Sequence, residues 1–510
     1  MKAFLLYPDQ DFQISQTDPS HAKELTEDLS LDVLFDAMAG EDKFIHSIVR
    51  AVVLNGCRTP DDMIYRQDIL KDCMAYHDEI CRLYDTACRA EENREGHLLL
   101  SYMSTPDYTV MASVRSMETM LPFLRLLQEQ AASLGQYSHS AGLSRFCRMI
   151  CEELSQSYLD EMESYLKKLR FRQGICLNGN TGECLRSDFY ELRDIQESKK
   201  SFWCRWIPER KNANTFEIDP RDESGFRALS EIRNQGMEAL AWSVSKSQEH
   251  IFQFFKSLKK ELSFYIGCLN LEKKLETLGA VWSFPVIGPK NTVKMQFSGL
   301  YQISLALHEG RAVSGNTVDA SGKNLIIVTG ANQGGKTTFL VSVGQAFLMM
   351  QCGMFVGAQN FSARVSAVYT HFKREEDESL ERGKLDEELH RLSAVVDCIH
   401  SGDLILMNES LASTNEAEGS AIAEQVIEAL TQMGIRVIFV THFFQFSGQR
   451  YQMKRDSDLF LRANREADGS RSFRLVTAPP LTTSFGQDIY RKIFENADIT
   501  EVLKSGDRRA

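Results

Sequence analysis

The feature that most constrains this chain is a glycine-rich segment, GANQGGKT, at residues 330–337. It fits the pattern GxxxxGK[ST], and it lies between an apolar, strand-like segment that ends at Thr329 and a helical pattern after Thr338. Glycines let backbone N–H groups face phosphate oxygens, Lys336 neutralises the β and γ phosphates, and the Thr337 hydroxyl ligates Mg²⁺. The sequence therefore predicts a nucleotide-binding loop between a strand and a helix.

Two later strand-like segments end in polar residues. Residues 403–407 are followed by Asn408 and Glu409, and residues 437–440 are followed by Thr441 and His442. The carboxyl ends of such strands carry the metal and water chemistry of nucleotide hydrolysis. We expect Glu409 to orient or deprotonate the attacking water and His442 to sense the γ phosphate, with a structural role for His442 as the alternative. Asn408 stands where an aspartate would hold Mg²⁺, and its uncharged amide predicts weaker metal binding or turnover.

Proline is scarce, with only 11 residues in 510, and none occurs at 123–207 or 221–284. Both gaps favour long helices, because an interior proline removes a backbone hydrogen bond and clashes with the preceding turn. Helical patterns occupy residues 31–135, where Thr59 and Pro60 look like a helix start, and a further helix is predicted through Leu143 and Met162. Residues 222–278 predict one helix of ~85 Å, or two helices interrupted at a glycine.

After about residue 301 the pattern alternates between strands and helices, which indicates an α/β domain. The predicted architecture is a short segment at 1–30, an α-helical core or lever domain at 31–290, and a P-loop ATPase domain at 291–510. A small β-containing insertion is predicted at about 169–218, where Asn178-Gly179 has the composition of a turn between short strands.

The charge is acidic overall, with 58 lysines and arginines against 70 acidic residues and a net charge of −12. This balance argues against a protein that binds nucleic acid over its whole surface. Residues 167–211 differ, because they contain eleven basic residues against six acidic ones, with aromatic residues among them. Such a stretch binds a nucleic-acid backbone or forms a solvated insertion with its own core, and both interpretations stay open.

Membrane insertion is not predicted. The uncharged stretch 339–363 contains Gln, Ser, Gly and Asn and follows the phosphate loop, so a buried helix and strand explain it better than a membrane span. The N-terminus lacks a long apolar run and a cleavage site. Twelve cysteines without a CxxC pair are expected to be reduced thiols of a cytoplasmic protein.

Several segments together resemble the MutS family of ATPases, which belongs with the ABC-type P-loop proteins. They are TGANQGGKTTFL, LILMNES, VTHFF and SFG in the C-terminal half, and DDMIYRQDIL at 61–70 and ELSFYIGCLNLEKKLETLG at 261–279 in the helical half. The resemblance implies an ABC-type α/β ATPase domain after the helical core, with ATP and Mg²⁺ as cofactors. It also implies a dimer, most simply a homodimer, in which the partner's segment at 380–392 completes each ATP site.

The resemblance assigns residues to the ATP site. The catalytic residues would be Glu409, His442 and Lys336, and the metal ligands would be Thr337 and Asn408. Gln359 would lie in a loop near the metal and the attacking water. The phosphate-binding residues would be Gly330, Ala331, Asn332, Gln333, Gly334, Gly335, Lys336, Thr337 and Thr338.

Departures from the family pattern suggest slow turnover. Gly383 falls where the family has a serine that reaches the partner's γ phosphate, and Lys384 is a candidate substitute donor. Val313 falls where an adenine-stacking aromatic residue is common. Residues 410–419 replace the usual glycine-rich continuation. The helical core begins near residue 30, which leaves no room for a mismatch-reading or connector domain, so distorted or branched double-stranded DNA is the expected ligand. A nucleotide-gated scaffold for a protein partner, with little hydrolysis, is the alternative.

Overall fold

The computed structural model describes residues 1–14, 18–19, 21–57, 59–95, 105–172, 174–181, 187–193, 217–289, 294–331, 334–374, 383–465 and 471–480. Within these ranges the helices are α1 (Ala22–Asp28), α2 (Leu31–Ala39), α3 (Lys43–Asn55), α4 (Pro60–Ala75), α5 (His77–Glu95), α6 (Pro106–Leu134), α7 (Ala141–Glu153), α8 (Gln156–Lys168), α9 (Glu223–Thr277), α10 (Ile303–Glu309), α11 (Lys336–Gln351), α12 (Lys384–Val396), α13 (Glu416–Gln432) and α14 (Phe444–Gln452). The strands are β1 (Cys176–Thr181), β2 (Ser187–Arg193), β3 (Val286–Gly288), β4 (Met295–Leu300), β5 (Asn316–Asp319), β6 (Leu325–Thr329), β7 (Asn360–Arg364), β8 (Val368–Phe372), β9 (Leu404–Asn408), β10 (Arg436–Val440), β11 (Asp458–Arg465) and β12 (Arg471–Thr477).

The chain divides into two compact units. The first contains Met1–Phe4 and Tyr76–Leu262, and the second contains Leu5–Ala75 and the residues from Ser263 onward. In the second unit α1 packs against β8 and α3 packs against α11, so the first helices of the chain pack on its C-terminal half.

The main sheet of the second unit has the strand order β12-β11-β6-β10-β9-β8. All neighbouring pairs are parallel except β11 and β12, which form an antiparallel hairpin. Helix α11 packs on one face of the sheet, and α12, α13 and α14 supply apolar residues to the core on the other face. Because both faces are covered, the central strands are continuously apolar, as in the buried segment LIIVT of β6.

A smaller sheet of the same unit has the order β3-β7-β4-β5. Its core includes Phe297 of β4, whose ring stacks on that of Phe361 in β7 with centroids 5.9 Å apart. The Leu475 N–H of β12 donates to Asn316 Oδ1 of β5 at 2.7 Å, which joins this sheet to the β11–β12 hairpin. Both residues line a cavity of the second unit.

The first unit consists of helices and the β1–β2 hairpin. Two predictions are wrong here. The single helix through Leu143 and Met162 is two helices, because the Ser155 hydroxyl caps a new helix by accepting from the Tyr158 N–H at 3.4 Å. Asn178-Gly179 is not a turn, because both residues lie inside β1 and pair with β2; the residues between the two strands, 182–186, lie outside the described residues.

Helix α9 is continuous over 55 residues, so the prediction of one long helix is confirmed and the two-helix alternative is wrong. Its interior Gly267 sits in the second unit, where an added Cβ would lie 2.8 Å from a Val49 methyl carbon. The glycine therefore permits a close approach of α3 without interrupting the helix. The predicted helix start at Thr59 and Pro60 is confirmed, since the Thr59 hydroxyl accepts from the Asp62 N–H at 3.2 Å.

The predicted buried helix in the apolar stretch 339–363 is also confirmed, because α11 is buried on nearly all sides. None of the helices in the described ranges combines the length and apolarity needed to cross a bilayer.

Candidate nucleotide-binding site

The glycine-rich loop connects β6 to α11. Gly330 follows β6 with a φ of +123°, and Gly335 precedes the first residue of α11 with a φ of +85°. Both values lie where a Cβ is strained, so glycine is required at each position. Ala331 is buried and Thr338 is half-buried in the first turn of α11. Asn332 and Gln333 lie outside the described residues.

The loop glycines also make room for the β11–β12 hairpin. A Cβ on Gly330 would lie 2.9 Å from the Ala463 Cβ, and one on Gly334 would lie 2.7 Å from the same atom. Real Cβ contacts are not that short, so the hairpin reaches this position only over glycines. The motif was interpreted from its phosphate chemistry alone, and this packing function was not predicted.

Lys336 is the first residue of α11, and its side chain is 5% exposed. Its ammonium group donates to the carbonyl oxygens of Gly330 at 2.8 Å and Ala331 at 3.1 Å, so it lies over the loop. The N-terminus of α11 adds backbone N–H groups and the positive end of the helix dipole. This arrangement concentrates positive potential where phosphate oxygens would bind.

Two hard oxygen donors meet beside the lysine. The Thr337 hydroxyl donates to Asn408 Oδ1, the last residue of β9, at 3.2 Å. Hydroxyl and amide oxygens are ligands that Mg²⁺ accepts, together with water and phosphate oxygens. The residues present therefore fit a Mg²⁺ site, although neither of them carries a charge.

The acid and the histidine predicted from separate strand ends are in contact. Glu409 follows β9 and His442 follows the neighbouring strand β10, and His442 Nε2 lies 3.0 Å from Glu409 Oε1. The hydrogen bond with His442 holds the pKa of Glu409 below its usual value against the opposing effect of burial, and the charges of His442, Lys336 and Lys373 act in the same direction. Glu409 has a φ of +51°, which is strained for a residue with a side chain.

Lys373 was missed in the sequence. It follows β8, the parallel neighbour of β9, and its backbone N–H donates to the Asn408 carbonyl at 3.0 Å. The apolar segment VYTHF followed by a lysine was the available signal, because it has the same strand-then-polar pattern as the other two strand ends.

Gln359 directly precedes β7 in the second unit. It is exposed, its N–H donates to the Ser298 carbonyl at 3.0 Å, and no contact within the described ranges joins it to Glu409 or Thr337. With Val313 it lines a cavity of about 580 Å³ between the smaller sheet and the β11–β12 hairpin. Asn464, the residue after Ala463, lines the same cavity, which therefore adjoins the glycine-rich loop.

The segment expected to complete a partner's site is described only from Gly383, because 375–382 lie outside the described residues. Gly383 is the N-cap residue of α12, and an added Cβ there would meet no atom within 4 Å. Lys384 is the first residue of the helix. The SFG segment at 484–486 and most of the basic insertion, 182–186 and 194–216, also lie outside the described residues.

Two family models match separate parts of the chain. The model described as MutS2 N-terminal domain matches residues 58–278, and the model described as MutS domain V matches residues 326–504. The first covers the helical half, including α9, and the second covers the strands and loops of the candidate site.

Individual relatives carry related names. "MutS protein homolog 4" of Mus musculus is 28% identical over 47% of this chain and 25% of its own length. "DNA mismatch repair protein MutS" of Thermus aquaticus is 27% identical over 32% of this chain and 20% of its own length. "Endonuclease MutS2" of Thermus thermophilus is 26% identical over 39% of this chain and 27% of its own length. The chain thus spans only about a quarter of the length of these curated relatives.

Proposed function

Because the chain belongs to the MutS family, we propose that it is an ATPase that binds ATP with Mg²⁺, dimerises, and couples nucleotide binding and hydrolysis to DNA binding. The observation that carries the proposal is the convergence of five side chains from three neighbouring strand ends, namely Lys336, Thr337, Asn408, Glu409 and His442. Strand β10 lies between β6 and β9, so the sheet brings the lysine, the acid and the histidine to one edge.

The chemistry follows from the states of these groups. Lys336 and the N–H groups at the start of α11 bind the phosphates. Thr337 and Asn408 would hold Mg²⁺, which would supply charge neutralisation at the phosphates. Glu409 is ionised at neutral pH, as an ordinary glutamate is, and the lowered pKa keeps it ionised despite its burial. It therefore accepts a hydrogen bond from the attacking water and orients it, as a general base does. His442 fixes the position of the carboxylate through the 3.0 Å contact.

The cavity beside the loop is suited to the base and ribose of the nucleotide. Its volume of about 580 Å³ is in the range of small-molecule sites. Val313 supplies an aliphatic wall in place of an aromatic one, and Gln359 and Asn464 supply polar groups at the rim. We expect weaker base stacking than an aromatic residue would give.

The ATPase assignment is tested by steady-state hydrolysis of the wild type beside Lys336→Ala and Glu409→Gln. Removing a positioned general base costs about 10²–10⁴ in rate, so Glu409→Gln should retain ATP binding and lose at least about a hundredfold in kcat. Lys336→Ala should lose ATP affinity. Glu309→Gln, an exposed acid at the end of α10, is the matched control and should hydrolyse ATP at the wild-type rate. Equal rates in all four proteins would remove the assignment.

The scaffold alternative rests on the uncharged Asn408. If the amide weakens Mg²⁺ binding, Asn408→Asp should lower the Mg²⁺ concentration required for half-maximal hydrolysis. A wild type that binds ATP tightly without measurable turnover, and gains turnover only as Asn408→Asp, would favour the scaffold. Wild-type turnover abolished by Glu409→Gln would favour the ATPase.

A further inference from the structure

A buried histidine joins three segments behind the candidate catalytic acid. His371 lies in β8 and is 1% exposed. Its Nδ1 is 2.9 Å from the Ser410 hydroxyl, and its Nε2 is 3.1 Å from the Glu388 carbonyl oxygen. Ser410 directly follows Glu409, and Glu388 belongs to α12. The imidazole therefore bridges the turn that carries the acid and the helix that begins after Gly383.

The partners fix the protonation pattern of the ring. A carbonyl oxygen carries no proton, so Nε2–H must donate to Glu388, and the Nδ1 of a neutral ring is then an acceptor. Among the residues that the structure describes, the Ser410 hydroxyl is the donor in contact with that nitrogen, and it also lies 2.5 Å from the His371 carbonyl oxygen. The Ser410 hydroxyl proton thus faces two acceptors of His371, the ring Nδ1 and the carbonyl oxygen. Ser410 is fully buried and contacts both atoms.

The same helix contacts the turn a second time. The Glu388 carboxylate, 3% exposed, accepts from the Leu411 N–H at 2.8 Å. The residues on either side of Ser410 have positive φ angles, +51° at Glu409 and +67° at Leu411. Such conformations persist only where surrounding contacts enforce them. The Glu409 N–H donates to the Val440 carbonyl at 2.8 Å on the β10 side, and His371 and Glu388 contact the next two residues, Ser410 and Leu411, so this part of the turn depends on the position of α12.

We propose that His371 is a positioning residue for ATP hydrolysis, which holds the strained turn of Glu409 against α12 and makes the orientation of the acid respond to that helix. The inference rests on the proposed role of Glu409. Helix α12 begins at the segment expected to meet the partner's nucleotide, so a displacement there would alter the geometry of Glu409 in the same subunit. By reciprocity, ligands that order Glu409 would also bias α12.

Three substitutions separate positioning from simple packing. His371→Ala removes both contacts, His371→Asn places a polar atom near the Nδ1 position and keeps the reach toward Ser410, and His371→Gln reaches only toward Glu388. For folded, purified proteins we expect kcat to fall about tenfold in the Ala and Gln variants, equivalent to about 1.4 kcal/mol. We expect KM for ATP to change less than about twofold, since the loop of Lys336 is untouched, and the Asn variant to keep most of the wild-type kcat.

Two controls keep the test decisive. Ser410→Ala removes the other end of the contact and should reproduce the low kcat with an unchanged KM, even if a histidine variant folds poorly. His400→Asn removes an exposed imidazole before β9 and should leave both constants unchanged. A purely structural role predicts lower stability with a normal kcat per folded molecule in all variants. That result, in a wild type that hydrolyses ATP, would overturn this inference alone, whereas a wild type without turnover would overturn the proposed function as well.

Discussion

At the scale of single residues, the charges in the candidate site are set by contacts rather than by residue type. The Glu409 carboxylate contacts the His442 ring and lies in the field of Lys336 and Lys373, whereas the Glu388 carboxylate accepts from the Leu411 N–H. The pKa of Glu409 is lowered by its contacts, so it stays ionised near neutral pH despite its burial. Asn408, one residue earlier, supplies an oxygen without charge. The pair therefore gives one anionic and one neutral oxygen donor where the family pattern predicts two acids.

His371 predicts a dependence of stability on pH. Burial lowers the pKa of His371 to about 4 from its ordinary 6.5, and the charges of Arg391 and Arg374 act in the same direction, while the carbonyls of Glu388 and His371 oppose them. The unfolded chain therefore binds a proton between about pH 6.5 and 4 that the folded chain excludes. This contribution to stability is fully present above pH 6.5 and is lost as the pH falls toward 4. At pH 5 the loss is about 2 kcal/mol relative to pH 7.

The measurement is urea unfolding of the wild type and of His371→Asn at pH 7 and pH 5. The fall in unfolding free energy between the two pH values should be about 2 kcal/mol larger in the wild type. Other acids titrate in both proteins and cancel in this comparison. An identical pH dependence in the two proteins would show that the imidazole is not excluded from protonation in the folded state.

At the scale of elements, the contact between the β11–β12 hairpin and the glycine-rich loop restricts both partners. The Cβ of Ala463 occupies the space above Gly330 and Gly334, and the carbonyl of Phe473 lies 3.3 Å from the Cβ position of Gly335. The hairpin thus covers the loop at its three described glycines. A change in the hairpin should therefore act on nucleotide binding through packing, without contacting the nucleotide.

Ala463→Val tests this coupling. The two added methyl groups have no space beside the loop glycines, so we expect the loop to shift and KM for ATP to rise at least about tenfold, while overpacking lowers stability by about 1–3 kcal/mol. Ala463→Ser, which is nearly the same size, is the matched control and should bind ATP as the wild type does. ATP affinity measured by nucleotide titration distinguishes the two variants. Unchanged affinity in Ala463→Val would mean that the loop does not depend on this contact.

Local sequence predicted the elements and strand ends but not which strands become neighbours. The glycine-rich loop, Glu409 and His442 follow from apolar strands that end in polar residues, a pattern visible within ten residues. Lys373, His371 and Ala463 belong to the site region only because β8 pairs with β9 and β11 pairs with β6. Those pairings join residues far apart in the sequence, so no local pattern reports them.

In the helical half too, local patterns were predicted and contacts between distant residues were not. The length of α9 was predicted because the absence of proline acts locally, whereas its glycines were ambiguous without the neighbours that explain them. Asn178-Gly179 had the composition of a turn, but strand pairing across the β1–β2 hairpin overrides that preference. The Asn178-Gly179 prediction failed because a cross-strand contact competes with a local propensity, whereas the break between α7 and α8 follows from a local cap at Ser155 that the helical pattern did not reveal.

At the scale of the whole molecule, membership of the MutS family is confirmed by family models on both halves, while dimerisation and DNA binding stay predictions. We expect the protein to bind branched or distorted duplexes more tightly than homoduplex, with affinity that changes when ATP is added. Replacing Lys199 and Lys200 with glutamine should weaken DNA binding and reduce the slope of log affinity against log salt by about 2. The slope falls because a protein that makes two fewer phosphate contacts displaces fewer counterions from the DNA.

Band-shift titrations at several salt concentrations measure this effect. The control is the double replacement of Lys273 and Lys274, two exposed lysines of α9 that remove the same charge outside the basic stretch. Equal losses in both double variants would indicate a nonspecific charge effect. Failure of the wild type to shift any DNA at low salt, with or without ATP, would contradict DNA binding and favour a protein partner.

The division of the second unit between two distant parts of the chain has a consequence for biosynthesis. Helices α1–α4 end at Ala75, but α11 and β8, against which α3 and α1 pack, are translated only after residue 335. At roughly 5–20 residues per second, the apolar faces of α1 and α3 wait on the order of tens of seconds for these partners. The nascent chain should therefore bind a chaperone early, and arrested chains that end before α11 should be its strongest clients.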